Sequence, residues 1–372
     1  MAKLRFERVG TQVSWSASGS ISQECSPVPF TVTGIMLVAH MDITTTSVTN
    51  FNDYWDRAIT RLTLTGQANG KSKSFLDFSN MRLPYHHSRF HLLQCAPKRP
   101  TVIAGSATNS LQQFAYYFHF GVQPFKNGRL NMMDLTAGIP PTAKGQLTLG
   151  GAFSAAANVL GTNVTINDGD LDIWLVGVQE EPGDPPALYM PQAFPVWSMT
   201  TPTPTATSGM FATPYNVTSG DFLHSLTIMT TNGTNAPRDD QVLNSVRLYF
   251  QKENRPIITF GGRAGASDAA GGDYKVAELM SQLGLAAAPP SDDNSTLGAP
   301  AVTAVADEGL FQFRLADYTT KVHPLYGADM RGIATGDIRM DMGVNDATGI
   351  ALDVLYQRYE LNPEHPANAG WL

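Results

Sequence analysis

At 372 residues the chain exceeds what one ordinary hydrophobic core accommodates and fits two domains of about 150 to 200 residues each. Only 15% of the residues are charged, whereas 33 Gly and 24 Pro accompany abundant Thr and Ser, a composition of short strands and turns rather than of helical bundles. The formal net charge of −7 argues against a protein that wraps nucleic acid, since phosphate binding draws on clustered Lys and Arg; no sequence-specific nucleic-acid partner is expected.

The N-terminal arm, residues 1–20, begins with Lys3, Arg5 and Arg8 against Glu7, interleaved with Leu4, Phe6 and Val9. Such an alternation suits two structures. A short basic, amphipathic arm can lie on an anionic surface, whether lipid headgroups or nucleic acid; the same residues can form a first strand or a disordered start. The arm lacks the apolar core of a signal peptide and no segment reaches eighteen consecutive apolar residues, so synthesis and folding in a host cytoplasm are expected. Cys25 and Cys95 fall far below the density of a disulfide scaffold and are read as free, buried thiols.

Residues 29–43 are too rich in branched and apolar side chains for a loop and predict a buried strand. A polar connection from Thr45 to Arg57 follows. Ile59 to Thr65 then alternates with period two, and Gly66 to Gly70 is expected to close a hairpin onto Ser72 to Phe78. Residues 182–209 hold seven prolines among Thr and Ser, which predicts an extended linker without central strand, packed down by Tyr189, Phe194 and Trp197. The second half repeats the order of the first, with strands expected near 221–229, 242–250 and 257–260. One helix, Tyr274 to Leu285, places Val276, Leu279, Met280 and Leu283 on one face, and a low-complexity loop runs from Ala286 to Ala306.

No segment offers a complete reactive set. His86, His87 and His91 form the densest ligand cluster, but adjacent histidines point to opposite faces of a strand, and the Glu of a zinc-protease helix does not follow His87. A surface or interface turn is the favoured reading. Asp168, Asp170 and Asp172 imitate the start of a calcium loop, yet Ile173 stands where the turn needs Gly and Gln179 where it needs Glu, so a hairpin turn is expected there instead. The Gly261 to Gly265 run lacks the Lys and Ser/Thr of a phosphate cradle. The carboxylates Asp341, Asp353 and Glu360 show no spacing that defines a glycosidase pair. No catalytic, cofactor-binding or metal-binding residue is assigned, and no cofactor is expected.

The most informative feature is an internal echo. Asp134-Leu-Thr-Ala-Gly-Ile leads through a strand to Gly150 and later to Leu171-Asp-Ile; Asp329-Met-Arg-Gly-Ile leads through a strand to Gly343 and later to Leu352-Asp-Val. A repeated supersecondary unit signals two copies of one architecture. The shared segments carry strand and turn chemistry and no common reactive set, as expected of a building block.

On these paired segments and the Leu-Asp strands after them, the chain resembles the double jelly-roll major capsid proteins of tailless, icosahedral viruses, with tectivirus-like and corticovirus-like phages the nearest comparison. The resemblance covers about residues 20 to 362. It implies an all-β fold of two jelly-roll β-sandwich domains side by side, with one short helix and long loops. The division expected is an arm at 1–20, a first jelly roll at 21–181, a Pro-rich linker at 182–209, a second jelly roll at 210–362 and a tail at 363–372. It further implies a non-enzymatic protein whose homotrimers form pseudo-hexagonal capsomers that tile a virion shell over an internal membrane, with minor capsid proteins as partners. Lys3, Arg5 and Arg8 would then face the interior or the membrane. A two-jelly-roll glycan-active enzyme or lectin, and a trimeric phage spike or receptor-binding protein, are the alternatives.

Overall fold

Alternation shapes the longest strands of the chain, whose structure is a computed structural model describing residues 3–25, 27–46, 54–92, 106–143, 145–155, 163–203, 209–214, 221–231, 243–249, 258–261, 310–315, 322–323, 325–331, 339–344 and 350–371. Two compact units divide these residues, one holding the stretches from 3 to 197 and from 360 to 371, the other those from 198 to 359.

In the first unit the elements run β1 (Lys3–Arg8), β2 (Val13–Ser14), β3 (Ser20–Glu24), β4 (Thr31–Thr45), β5 (Ile59–Ala68), β6 (Lys71–Phe78), α1 (Arg82–Leu92), β7 (Ala107–His119), β8 (Phe125–Lys126), β9 (Arg129–Leu130), β10 (Leu147–Phe153) and β11 (Val164–Gln179). One antiparallel sheet has the order β1-β11-β4-β7, with β2 also on β11; another includes β3-β10-β5-β6. Along β4, Ile35, Leu37, Ala39, Met41 and Ile43 are buried, while Met36, Val38, His40, Asp42 and Thr44 between them are half-buried. Cross-strand register extends that buried face to Leu171, Ile173 and Leu175 of β11 and to Phe114, Tyr116 and Phe118 of β7. Leu62, Leu64, Phe78 and Leu149 meet it from the second sheet, and the rings of Phe78 and Phe118 lie 5.5 Å apart between centroids. Each such side chain contributes about 1.5–3 kcal/mol on leaving water, which makes this sandwich the core of the unit.

β12 (Ala193–Thr200) belongs to the first unit as far as Trp197, and the second unit then holds β13 (Gly209–Pro214), β14 (Asp221–Thr231), β15 (Leu243–Tyr249), β16 (Ile258–Gly261), β17 (Leu310–Arg314), β18 (Val322–His323), β19 (Gly327–Asp329), β20 (Arg339–Val344) and β21 (Ala351–Leu361), whose last two residues fall in the first unit. β13-β20-β15-β16 form one sheet, and β18-β19-β14-β21, with β17 also on β14, run in another. The strands expected at 221–229, 242–250 and 257–260 are β14, β15 and β16 within a residue or two at each end.

Several sequence expectations need correction. β5 continues through Gly66, Gln67 and Ala68, and the turn is only Asn69-Gly70, both at positive φ (51° and 71°), the two-residue geometry that matches strand twist. Asp168 to Asp172 form no hairpin turn: they lie inside β11, where the register slips between Ile166 and Asp168 as a bulge. The Pro-rich segment holds a strand, β12, despite Pro195. One proline removes one ladder hydrogen bond, and burial of Phe194 and Trp197 on that strand offsets the loss. His86, His87 and His91 are not in a surface turn but on the helix α1. The helix expected at Tyr274 to Leu285, the loop Ala286 to Ala306 and Cys95 lie outside the described residues, while Cys25 is free and buried.

Candidate functional site

Helix α1 concentrates the polar chemistry of the first unit. Asn80 Oδ1 accepts the Arg82 N–H at 3.1 Å and so caps its start, and Pro84 fits the first turn, where no intrahelical donor is required. Every residue from Arg82 to Arg89 is buried. At helical spacing His87 and His91 fall on one face, and both rings stand edge-on to Trp197 of β12, at 5.4 and 6.2 Å between centroids. His86 Nδ1 lies 3.1 Å from Arg89 Nη1 and accepts from it. Ser88 donates to the Tyr117 carbonyl at 2.5 Å, and His91 Nε2 donates to the Gly121 carbonyl at 2.9 Å. These bonds fix the helix on β7 and the chain after it.

Beneath the helix lies a group that the sequence did not single out. His119, at the end of β7, is fully buried, stacks on His91 at 6.0 Å and sits with Nε2 3.8 Å from Asp134 Oδ2 and Nδ1 3.3 Å from the Tyr117 hydroxyl. Burial, and secondarily the Asp134 charge, push the Tyr117 phenol above its ordinary value. Asp134 Oδ1 accepts the Thr136 N–H and Oδ2 the Gln123 N–H, at 3.0 and 2.8 Å. Gly121 leaves the room for it, because a Cβ there would stand 2.1 Å from Asp134 Oδ2. The arrangement buries its polar atoms among backbone partners and rings, which suits a structural brace. Among the described residues no group of three or more His, Cys, Asp or Glu is placed to hold a metal ion.

The echo between Asp134 and Asp329 has a shared physical content. Asp329 Oδ1 accepts the Arg331 N–H at 3.0 Å, the same bond to the residue two positions on that Asp134 makes, so both halves repeat an Asx turn. The Leu-Asp pairs also match. Leu171 and Leu352 are buried, while Asp172 takes the Arg8 guanidinium and Asp353 accepts the Thr201 hydroxyl at 3.0 Å. Among the other carboxylates, Asp341 pairs with Arg339 at 2.8 Å and Glu360 with Lys73. Each is tied to its own cation or hydroxyl, so the three form no acid–base pair.

Lys3, Arg5 and Arg8 all lie on β1, which among the described residues is an edge strand of the first sheet, paired with β11 from Lys3↔Gln179 to Arg8↔Trp174. The strand alternative therefore holds for residues 3–8. Arg8 is tied to Asp172, and Lys3 Nζ lies 3.6 Å from Glu181; Arg5 is exposed. No helix among the described residues is long and apolar enough to cross a membrane.

No known sequence family matches the chain, and no curated protein matches it in sequence. Solved structures do match it along its length. The major capsid protein of STIV superposes with a TM-score of 0.65 at 13% identity, covering 100% of both chains, and the chain in the atomic structure of Sulfolobus turreted icosahedral virus gives 0.64, also at 13%, over 100% of this chain and 94% of that one. The major capsid protein P2 of bacteriophage PM2 gives 0.51 at 9% identity over 97% and 99%. The chain has the fold of the double jelly-roll major capsid proteins.

Proposed function

We propose that the chain is a structural, non-enzymatic shell protein. Three copies form a pseudo-hexagonal capsomer, and capsomers tile an icosahedral virion over an internal membrane, with minor capsid proteins filling the remaining contacts. The observation that carries this reading is the length of the likeness: it spans the whole chain, as a shell protein built of two β units requires, and not a single jelly roll that many functions share. The low charge supports it, because 15% charged residues leave polar and apolar surface that associates without large desolvation costs. The buried, mutually bonded side chains around α1 support a scaffold role as well.

Light scattering on the purified full chain tests the subunit count, and electron microscopy of the product tests the shell. A mass of three chains, and particles tiled by three-fold units, are the expected results. A monomer that binds or hydrolyses glycans, or isolated trimeric spikes, would overturn the proposal. Lipid extraction from purified particles tests the membrane independently, and particles free of lipid would remove that element alone.

A further inference from the structure

Among the described residues strand β1 ends its sheet, and the direction of its backbone groups can be read from one bond. Val9 donates its N–H to the Ile173 carbonyl at 2.8 Å, in line with the β1–β11 register. In an antiparallel ladder residues alternate between facing the partner and facing away, so Lys3, Arg5 and Glu7 direct their backbone groups at β11. Leu4, Phe6 and Arg8 direct theirs outward. On that outward edge Leu4 is 38% exposed and Phe6 47%, two of the few large apolar side chains left in solvent among the described residues. An open edge carrying apolar side chains is a template for another strand.

We infer that this edge pairs with the same edge of a second copy, antiparallel about a two-fold axis at Phe6. Outward-facing residues have to meet outward-facing residues, which restricts the axis to a residue position rather than a point between residues. An axis at Lys3, Arg5, Glu7 or Arg8 sets that charge against its own copy. An axis at Leu4 sets Lys3 against Arg5 twice. Like charges directly opposite destabilise a sheet. Only the axis at Phe6 avoids this: Arg5 of each copy then opposes Glu7 of the other, Leu4 lies along the Arg8 stem, and the two Phe6 rings meet. Arg8 keeps its bond to Asp172 within its own chain. The sequence of the strand thus selects one self-complementary register out of six.

This contact rests on strand geometry and charge, not on the shell reading. If both hold, a two-fold contact added to a three-fold one extends assembly from a finite oligomer to a sheet or closed shell. A lipid surface is the competing occupant of a strand with exposed Leu4, Phe6 and Arg5.

Cross-linking of the full chain in a Cys95→Ser background tests the register. The Phe6 pair would be a hydrogen-bonded one, with Cα atoms about 5.5 Å apart, within disulfide reach. The two Leu4 positions would be about 14 Å apart, beyond it. Phe6→Cys is expected to give a covalent dimer under mild oxidation, and Leu4→Cys is not; Cys25, buried and with its thiol pushed up to about 12, does not compete. Equal yields from the two variants would overturn the inference. Sedimentation gives a second reading that leaves the apolar side chains intact. Arg5→Glu and Glu7→Arg should each weaken the two-fold association about tenfold, as expected when two facing pairs change sign, and the double exchange should restore it. Failure of the double exchange to recover, or flotation with phosphatidylserine vesicles that Arg5→Glu abolishes and the double exchange does not return, would also sink it. A three-chain mass that survives in every variant would leave the shell reading standing by itself.

Discussion

Asp134 shows how one side chain organises a buried corner. Its carboxylate takes two backbone N–H groups, faces His119 and occupies the space that Gly121 vacates. Removing the acceptor leaves donors without partners, each costing about 1–3 kcal/mol when buried, so Asp134→Ala should lower unfolding stability by about 2 kcal/mol or more in urea titration. Asp134→Asn retains one acceptor oxygen and should fall between that variant and the parent protein. Asp329 makes the same local bond but lies half-buried beside its own Arg331, and its loss should cost less. The repeated Asp was legible in the sequence as a repeat. Its reason was legible only in part: the Asx turn to Thr136 is local, whereas Gly121 and His119, which enclose the carboxylate, belong to β7 and the chain just after it and meet Asp134 only on folding.

At the scale of elements, β12 and α1 show tertiary context overriding local composition. Proline density argues against a strand in residues 182–209, but Trp197 has 1% of its surface exposed and receives His87, His91 and Phe120 edge-on. Trp197→Ala should cost about 3–5 kcal/mol, as expected for truncating a buried aromatic, and thermal or denaturant unfolding would show it. Trp197→Phe should cost much less, because the indole Nε1 is buried without a hydrogen-bond partner among the described residues. A large loss in the Phe variant would point to a bond formed elsewhere. For α1, the sequence offers three histidines and two arginines in eleven residues, a composition that reads as surface. Burial becomes tolerable because polar partners go with it, among them the Tyr117 and Gly121 carbonyls and the contact between the helix's own His86 and Arg89.

Across the whole molecule, a buried histidine of the second unit couples folding to pH. In the second unit His323 packs on Phe222 and Tyr326, and its Nδ1 accepts the Leu325 N–H at 3.2 Å, which needs a neutral nitrogen. Burial first, and then the Arg331 charge, hold its pKa below the ordinary 6.5, against the opposing pull of Asp329. The unfolded chain therefore binds this proton more readily than the folded one. The contribution to stability is complete above about pH 6.5 and is lost as pH falls through the lower folded value. Unfolding monitored between pH 7.5 and 5 should show the parent protein losing stability relative to His323→Gln as the solution becomes acidic; a difference constant with pH would refute the linkage.

The β class, the positions of several strands in each half and the existence of a repeat were legible in the sequence alone. Side-chain period two, turn residues and composition act locally and survive without knowledge of the partner strand. The alternation of Lys3, Leu4, Arg5 and Phe6 likewise announced either an arm or a strand. What only the tertiary structure decided was which neighbour each segment found: β11 for the N-terminal strand, Trp197 and His119 for the histidine helix, and Gly121 for Asp134. These pairings join residues of different segments, and their free energy lies in burial and partner geometry, quantities that residue types alone do not contain.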